Sequence, residues 1–291
     1  MTARTATAAR PKPKAATTAK TTRAVAPRPA PAAPSSDGFM WTITDALTIT
    51  KRNLIHIFRV PQLLVFSTIQ PVMFVLLFTY VFGGAIRSPG VKYVDFLLPG
   101  IFVQIVAFAA MNTGIGLAED INKGLIDRFR SLPMARSAVL AGRTLADLVR
   151  NVFVILLLYG VGSAIGFRIS TGPLQALVAF ALLLLFGYTM SWIGAWIGLT
   201  LRDPESVQAA GFVWIFPLIF ASGLFVPVQF MPGWLQAFAR NQPVSVTGLA
   251  VRALLIDGQG AAGATSLKAI AWGIGILAVF IPLGVARYRR T

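Results

Sequence analysis

The most compact group of charged side chains set between apolar stretches is Gly124, Leu125, Ile126, Asp127, Arg128, Phe129, Arg130, Ser131, Leu132 and Pro133, continued to Arg136. Apolar and charged residues interleave in it. That pattern suits recognition: a short helix at a membrane surface, presenting one face to a soluble partner. Leu125 and Phe129 are four apart and share a face. Arg128 and Arg130 lie about 200° apart on a helix, so they cannot both share that face. A second group, Arg143, Asp147 and Arg150, sits at i, i+4 and i+7 at the start of an apolar run. Mutual pairing and snorkelling account for it better than a transport role.

Other chemistry is scarce. There is no cysteine and one histidine, His56, so the sequence offers neither a disulfide framework nor a zinc site. No G-x-x-x-x-G-K-[ST] occurs, so ATP is not expected to bind through a P-loop; H-E-x-x-H and G-x-S-x-G are also missing. A hydrolase is hard to build from ten acids and one histidine. The apolar runs lack mid-membrane Asp, Glu or Lys, which counts against a proton-driven pump. No charge ring or carbonyl filter suggests a channel. The net charge of +16 is better explained by membrane topology than by nucleic acid, and no cofactor is expected on this chain.

The elements that must position these residues are membrane helices. The chain is 56% hydrophobic and 12% charged, with mean hydropathy +0.71; soluble domains carry about 25% charge. No Lys, Arg, Asp or Glu occurs in 60–86, 96–118, 151–167, 169–201, 206–239 or 269–286. A spanning helix needs about 20 mostly apolar residues, so six spans are expected. With the N-terminus inside, inner segments hold 20 Lys and Arg and outer segments six. Both termini are therefore expected in the cytoplasm.

In chain order, residues 1–37 are rich in Ala, Thr, Pro, Lys and Arg and are expected to be a disordered basic tail, drawn to anionic lipid. No apolar stretch follows the early basic residues, so a secretory signal is not expected. Residues 38–60 are read as an amphipathic interfacial helix, with Asp45, Thr48, Arg52, His56 and Arg59 opposite Ile43, Leu47, Leu54 and Phe58. Residues 61–291 form the six-helix domain. The spans are about Leu63–Phe82, Phe96–Leu117, Leu145–Phe167, Leu174–Leu201, Val207–Phe225 and Ala269–Val285. Gly162–Gly166 and Gly194–Gly198 are small-xxx-small pairs. The outer segment 226–266 holds two apolar stretches, 231–238 and 244–255, too short to span; they are read as re-entrant or interfacial helices. Asn112, Thr113, Phe212, Phe216 and Phe220 are candidates for a substrate pathway, the phenylalanines recurring every four residues.

The interfacial helix, the six spans, the 124–136 segment, Gly142-Arg143 and Asp147 together resemble the ABC-2 type permeases of bacteria, and among them the daunorubicin-resistance permeases. A second block agrees: Phe216-Pro217, Ser222-Gly223, Phe225-Val226-Pro227, Met231-Pro232, Trp234-Leu235 and Asn241-Gln242-Pro243. The resemblance spans roughly residues 40–290. It implies an all-α polytopic permease in the bacterial cell membrane, moving amphipathic drugs or lipids outward. It implies a separate ABC ATPase that carries ATP and magnesium, and a homodimer or a heterodimer with a sister permease. In that family 124–133 would be the coupling helix seated in the ATPase, 41–59 the connecting helix, and 231–255 the outer re-entrant helices. Relatives that export polysaccharide or lipid-linked glycan leave a second cargo class open. A self-sufficient transporter or channel, or a membrane-embedded enzyme, is the competing class.

Overall fold

The computed structural model describes residues 61–84, 91–124 and 136–290. The basic tail, the 38–60 helix and positions 125–133 lie outside the described residues. The described chain is helical throughout, with no strand. Helix α1 is Pro61–Leu77, continued by a π-helical turn Phe78–Phe82. Then follow α2, Tyr93–Asn122; α3, Arg136–Ile165; α4, Pro173–Leu201; and α5, Pro204–Phe220. A 3-10 turn, Val228–Phe230, precedes α6, Gly233–Asn241, and α7, Pro243–Leu255. Helix α8 is Ala262–Arg290.

Among the described residues four stretches are long and apolar enough to cross a membrane: Tyr93–Asn122, Gly142–Ile165, Pro173–Leu201 and Ala262–Tyr288. The expected first and fifth spans are helical as well, but shorter in regular α-helix. The fifth ends at Phe220, five residues before the expected boundary, and gives way to a turn at 221–226. The two expected outer helices are present as α6 and α7.

Helix α2 is the axis of the bundle. Leu97, Leu98, Ile101, Phe102, Val103 and Val106 have no exposed surface, because α3, α4, α5 and α7 all pack on it. Its tightest neighbour is α4. A Cβ at Gly194 would strike the Ala110 carbonyl, one at Gly198 would strike the Gly114 carbonyl, and one at Gly114 would lie 2.6 Å from the Gly194 carbonyl. Glycine lets the two backbones touch, which is how helices gain packing when lipid and protein are equally apolar. The Gly162–Gly166 pair divides: Gly162 packs on Leu98, while Gly166 takes φ +113° and ends α3. By contrast, α8 turns Leu267, Trp272, Ile274, Val279 and Leu283 outward, the pattern of a helix facing lipid. Its C-terminal end is anchored by Tyr288, buried in a cluster with Leu117, Trp192, Ala195 and Leu199.

Gly124, at φ +66°, ends α2, with its N–H on the Ile121 carbonyl at 2.9 Å. Between α4 and α5 only Arg202 and Asp203 intervene. Arg202 adopts a left-handed φ of 61°, and Asp203 caps α5 by accepting from the Ser206 N–H at 2.8 Å. Hydrogen bonds from the Ser206 side chain and then its backbone hold the Asp203 carboxyl below its ordinary value of 3.8.

Candidate functional site

Four-residue spacing on α5 places Phe212, Phe216 and Phe220 in one stripe. Neighbouring rings stand 5.9 and 4.7 Å apart. Phe108 of α2 packs 6.2 Å from both Phe212 and Phe216. Beyond the helix end the ladder continues through Phe225 at 5.6 Å, Phe78 at 5.2 Å and Phe74 at 5.6 Å. Seven rings thus form one continuous aromatic surface. Phe212, Phe216 and Phe220 remain 43–47% exposed, so the stripe is packed along one edge and open along the other.

The ladder meets a cavity of about 250 Å³. Gln70, Pro71 and Phe74 of α1 form one wall, and Gln104, Phe108, Met111 and Asn112 of α2 another. Arg150 and Asn151 of α3 and Gln208 and Phe212 of α5 close it. Among the described residues no carboxylate lines it. Asn112 and Phe212 therefore share the cavity, and Phe216 and Phe220 adjoin it through the ladder.

Thr113 is placed differently. It is fully buried, and its Oγ1 donates to Asp147 Oδ2 at 2.6 Å. The opposite face of the same α2 turn carries Asn112, so one step in sequence separates a lining residue from a structural one. Asp147 Oδ1 lies 3.5 Å from Arg150 Nη2, and Arg143 pairs with Asp120 across α2 and α3. Gly116 leaves the space in which the Arg143 guanidinium lies. Two cations and two carboxylates so form two ion pairs: Asp147–Arg150 follows the spacing in the sequence, whereas Arg143 pairs with Asp120 of α2 rather than with Asp147.

At the end of the bundle where α7 meets α2 lies a residue that the sequence marks only as one charge among those of the segment after the fifth span. Arg252 of α7 is 3% exposed. Its Nε donates to the Phe96 carbonyl at 3.0 Å, and Nη2 to those of Gly223 and Leu224 at 3.3 and 3.2 Å. The guanidinium lies 3.7 Å from the centre of the Phe96 ring. Among the described residues no carboxylate pairs with it. Arg252 thus ties α7 to the start of α2 and to the turn after α5. Its one available signal was position: it is the only charge between Arg240 and Asp257. Gln242 works beside it, donating to the Leu218 carbonyl at 2.7 Å.

Comparison with known families places this bundle of apolar helices. Residues 44–256 match the ABC-2 type transporter family. The chain belongs to that family. It is a multi-pass membrane protein and a permease subunit, not a catalytic one. It is 36% identical over 250 residues to the daunorubicin resistance ABC transporter permease protein DrrB1 of Streptomyces coeruleorubidus, covering 83% of this chain and 87% of the relative. It is 27% identical over 232 residues to the probable doxorubicin resistance ABC transporter permease protein DrrC of Mycobacterium tuberculosis H37Rv, covering 77% and 80%. The putative transport permease ycf38 of Cyanophora paradoxa is 27% identical over 212 residues, covering 70% and 72%. In this ABC-2 permease the ladder, the cavity and the Arg252 anchor all fall within the family-matched region. So does the 124–133 segment, of which the structure describes only Gly124.

Proposed function

We propose that this chain is the membrane half of an ATP-driven exporter of amphipathic drugs or lipid-like molecules. One observation carries the cargo assignment: an aromatic ladder, open along one edge, runs into a cavity lined by amides. Such a surface can hold the flat or acyl part of an amphiphile by stacking and burial, while the amides orient its polar end. The drug-resistance names of the relatives support the same class.

The rest of the assembly follows from the family and from the sequence. Six spans are proposed, with α1 reaching 22 residues through its π turn and α5 extended toward the outer face by the 221–226 turn. Helices α6 and α7 are proposed as the outer re-entrant pair. Both termini face the cytoplasm, by the Lys and Arg distribution. A second permease copy or a sister permease completes the transporter, with the open edge of the Phe212–Phe216–Phe220 stripe toward the shared cavity. Residues 124–133 seat in a separate ATPase, which binds ATP and magnesium; this chain binds neither.

The test uses inverted membrane vesicles containing the permease and an ABC ATPase that co-purifies with it from its native membrane. ATP added outside should drive accumulation of an anthracycline inside. Phe129→Ala should abolish it and lose co-purifying ATPase while inserting normally, since anchor residues dominate such interfaces. Wild-type uptake and wild-type ATPase recovery in Phe129→Ala would overturn the coupling assignment. No ATP-dependent uptake by the wild-type pair would overturn the exporter.

A further inference from the structure

We propose that Glu119 of α2 and Glu205 of α5 form an anionic collar at one mouth of the cavity between α1, α2, α3 and α5, and that this collar selects amphiphiles carrying a protonated amine. As regards cargo, and in placing that mouth at the cytoplasm, this rests on the function proposed above.

Helical spacing puts a carboxylate at the end of two walls. On α2, Gln104, Phe108, Asn112 and Ile115 line the cavity at steps of four, four and three, and the next step of four on that stripe is Glu119. On α5, Gln208 and Phe212 line it, and one turn before Gln208 on the same stripe stands Glu205. Both glutamates are exposed. Their turns lie side by side. A Cβ at Gly211 would meet Met111, and one at Gly114 would meet Val207. The two helices therefore run antiparallel, and the last turn of α2 falls beside the first turn of α5. A molecule entering there passes two carboxylates, then the amides of Asn112 and Gln208, then the rings of Phe108 and Phe212.

These two carboxylates are available, whereas their neighbours are not. Asp120 is taken by Arg143, and Asp203 by the cap of α5. Among the described residues no cation pairs with Glu205. Lys123 reaches Glu119 at 2.9 Å, but the two side chains are 63% and 47% exposed, and such pairs are worth little. Arg150, which lines the cavity beyond the collar, is balanced by Asp147 at 3.5 Å. An ammonium at the mouth thus gains two acceptors.

Gln104 points to an occupant. It lines the cavity, is 5% exposed, and among the described residues its amide has no hydrogen-bond partner. That state is uncommon for a buried amide in a native protein. The cavity volume of about 250 Å³ is below the roughly 300–1,000 Å³ of sites that enclose a whole drug-sized ligand, so such a ligand extends beyond it. Glu205 and Phe212 are seven residues apart, about 10 Å of helix, which a drug-sized amphiphile spans. Its ammonium then sits at the collar, its flat body lies against Phe108 and Phe212, and a polar edge can meet Gln104, which donates or accepts.

The experiment uses the purified full chain in phosphatidylcholine nanodiscs and two fluorescent probes of one body. Doxorubicin carries an amine that is protonated at neutral pH; N-acetyl-doxorubicin carries a neutral amide in its place. Saturable binding, above partition into empty nanodiscs, should be about tenfold tighter for doxorubicin, because two exposed charge contacts of about threefold each multiply. Glu119→Gln and Glu205→Gln should each lower that ratio about threefold, and the double variant should abolish it, with binding of the neutral probe unchanged throughout. Asp203→Asn is the control. Asparagine caps a helix as well as aspartate does, and the charge is lost two residues from Glu205 but off the stripe, so the ratio should hold. A Glu205 that only complements the dipole of α5 predicts that Glu205→Gln shifts both probes equally or neither, which overturns the proposal. Equal binding of the two probes by the wild type, or a wild-type ratio in the double variant, overturns it as well. If the ratio obeys the two carboxylates while the vesicles described above take up no anthracycline, the exporter fails and the collar stands. If ATP drives uptake while binding ignores the amine, the exporter stands and the collar fails.

Discussion

Removing the Arg252 guanidinium should loosen the end of the bundle where α7 meets α2, and the structure sets the size of the effect. Arg252→Met keeps length and apolar stem but removes every donor. The Gly223 and Leu224 carbonyls, both in buried residues of the turn after α5, receive Arg252 Nη2 at 3.3 and 3.2 Å. Stranding a buried carbonyl costs about 1–3 kcal/mol, so two cost about 2–6 kcal/mol. The Phe96 ring contact at 3.7 Å adds about 0.5–2 kcal/mol. Against this, a cation buried without a carboxylate carries a desolvation penalty that methionine relieves. The net loss is about 2–4 kcal/mol, or roughly 5–15 °C in melting temperature for a chain of this size. Arg252→Lys decides whether charge or geometry matters. An ammonium cannot lie flat on Phe96 and reach three carbonyls at once, so lysine should recover less than half of the loss. The assay is the monodisperse fraction after heating in detergent, with hydrogen exchange over 221–226, where protection should fall in both variants. A methionine variant that melts at or above wild type would show that the buried cation is a net burden and the carbonyls find other partners. A lysine variant equal to wild type would show that only charge counts.

Two further outcomes follow. Glycine to alanine inside a helix ordinarily stabilises by about 1 kcal/mol, but Gly194→Ala should destabilise, because its Cβ would strike the Ala110 carbonyl; a raised melting temperature would refute the close α2–α4 crossing. Asp203 has a lowered carboxyl pKa, so its stabilisation of α5 is complete above the unfolded value of 3.8 and is lost as pH falls through the lower folded value. The melting difference between wild type and Asp203→Ala should be constant from about pH 8 to about pH 5 and shrink only in stronger acid; a difference that vanishes near neutrality would deny the cap its charge.

Much of the fold was legible because it depends on local composition. Six long gaps between charges gave helices where the structure has them, and the short apolar stretches of the outer segment gave α6 and α7. The Asp147–Arg150 pair was readable from helical spacing, but Arg143 turns instead to Asp120 on another helix, and Thr113 of that helix takes the other Asp147 oxygen. The Phe212–Phe216–Phe220 stripe was visible in the same way.

Composition and charge spacing thus mark which segments are helical and where charge interrupts them, but not where each helix ends. Which face of each helix meets protein emerges from packing alone. In a soluble protein hydrophobicity marks the inward face, but in a membrane lipid and protein interior are equally apolar. Leu98 and Leu156 look alike in sequence, yet one is fully buried and the other 55% exposed. The same ambiguity hid the distinction between Asn112 in the cavity and Thr113 behind it. It also hid Arg252, whose carbonyl partners lie 28 to 156 residues away and come together only when α7 folds against α2 and the broken end of α5.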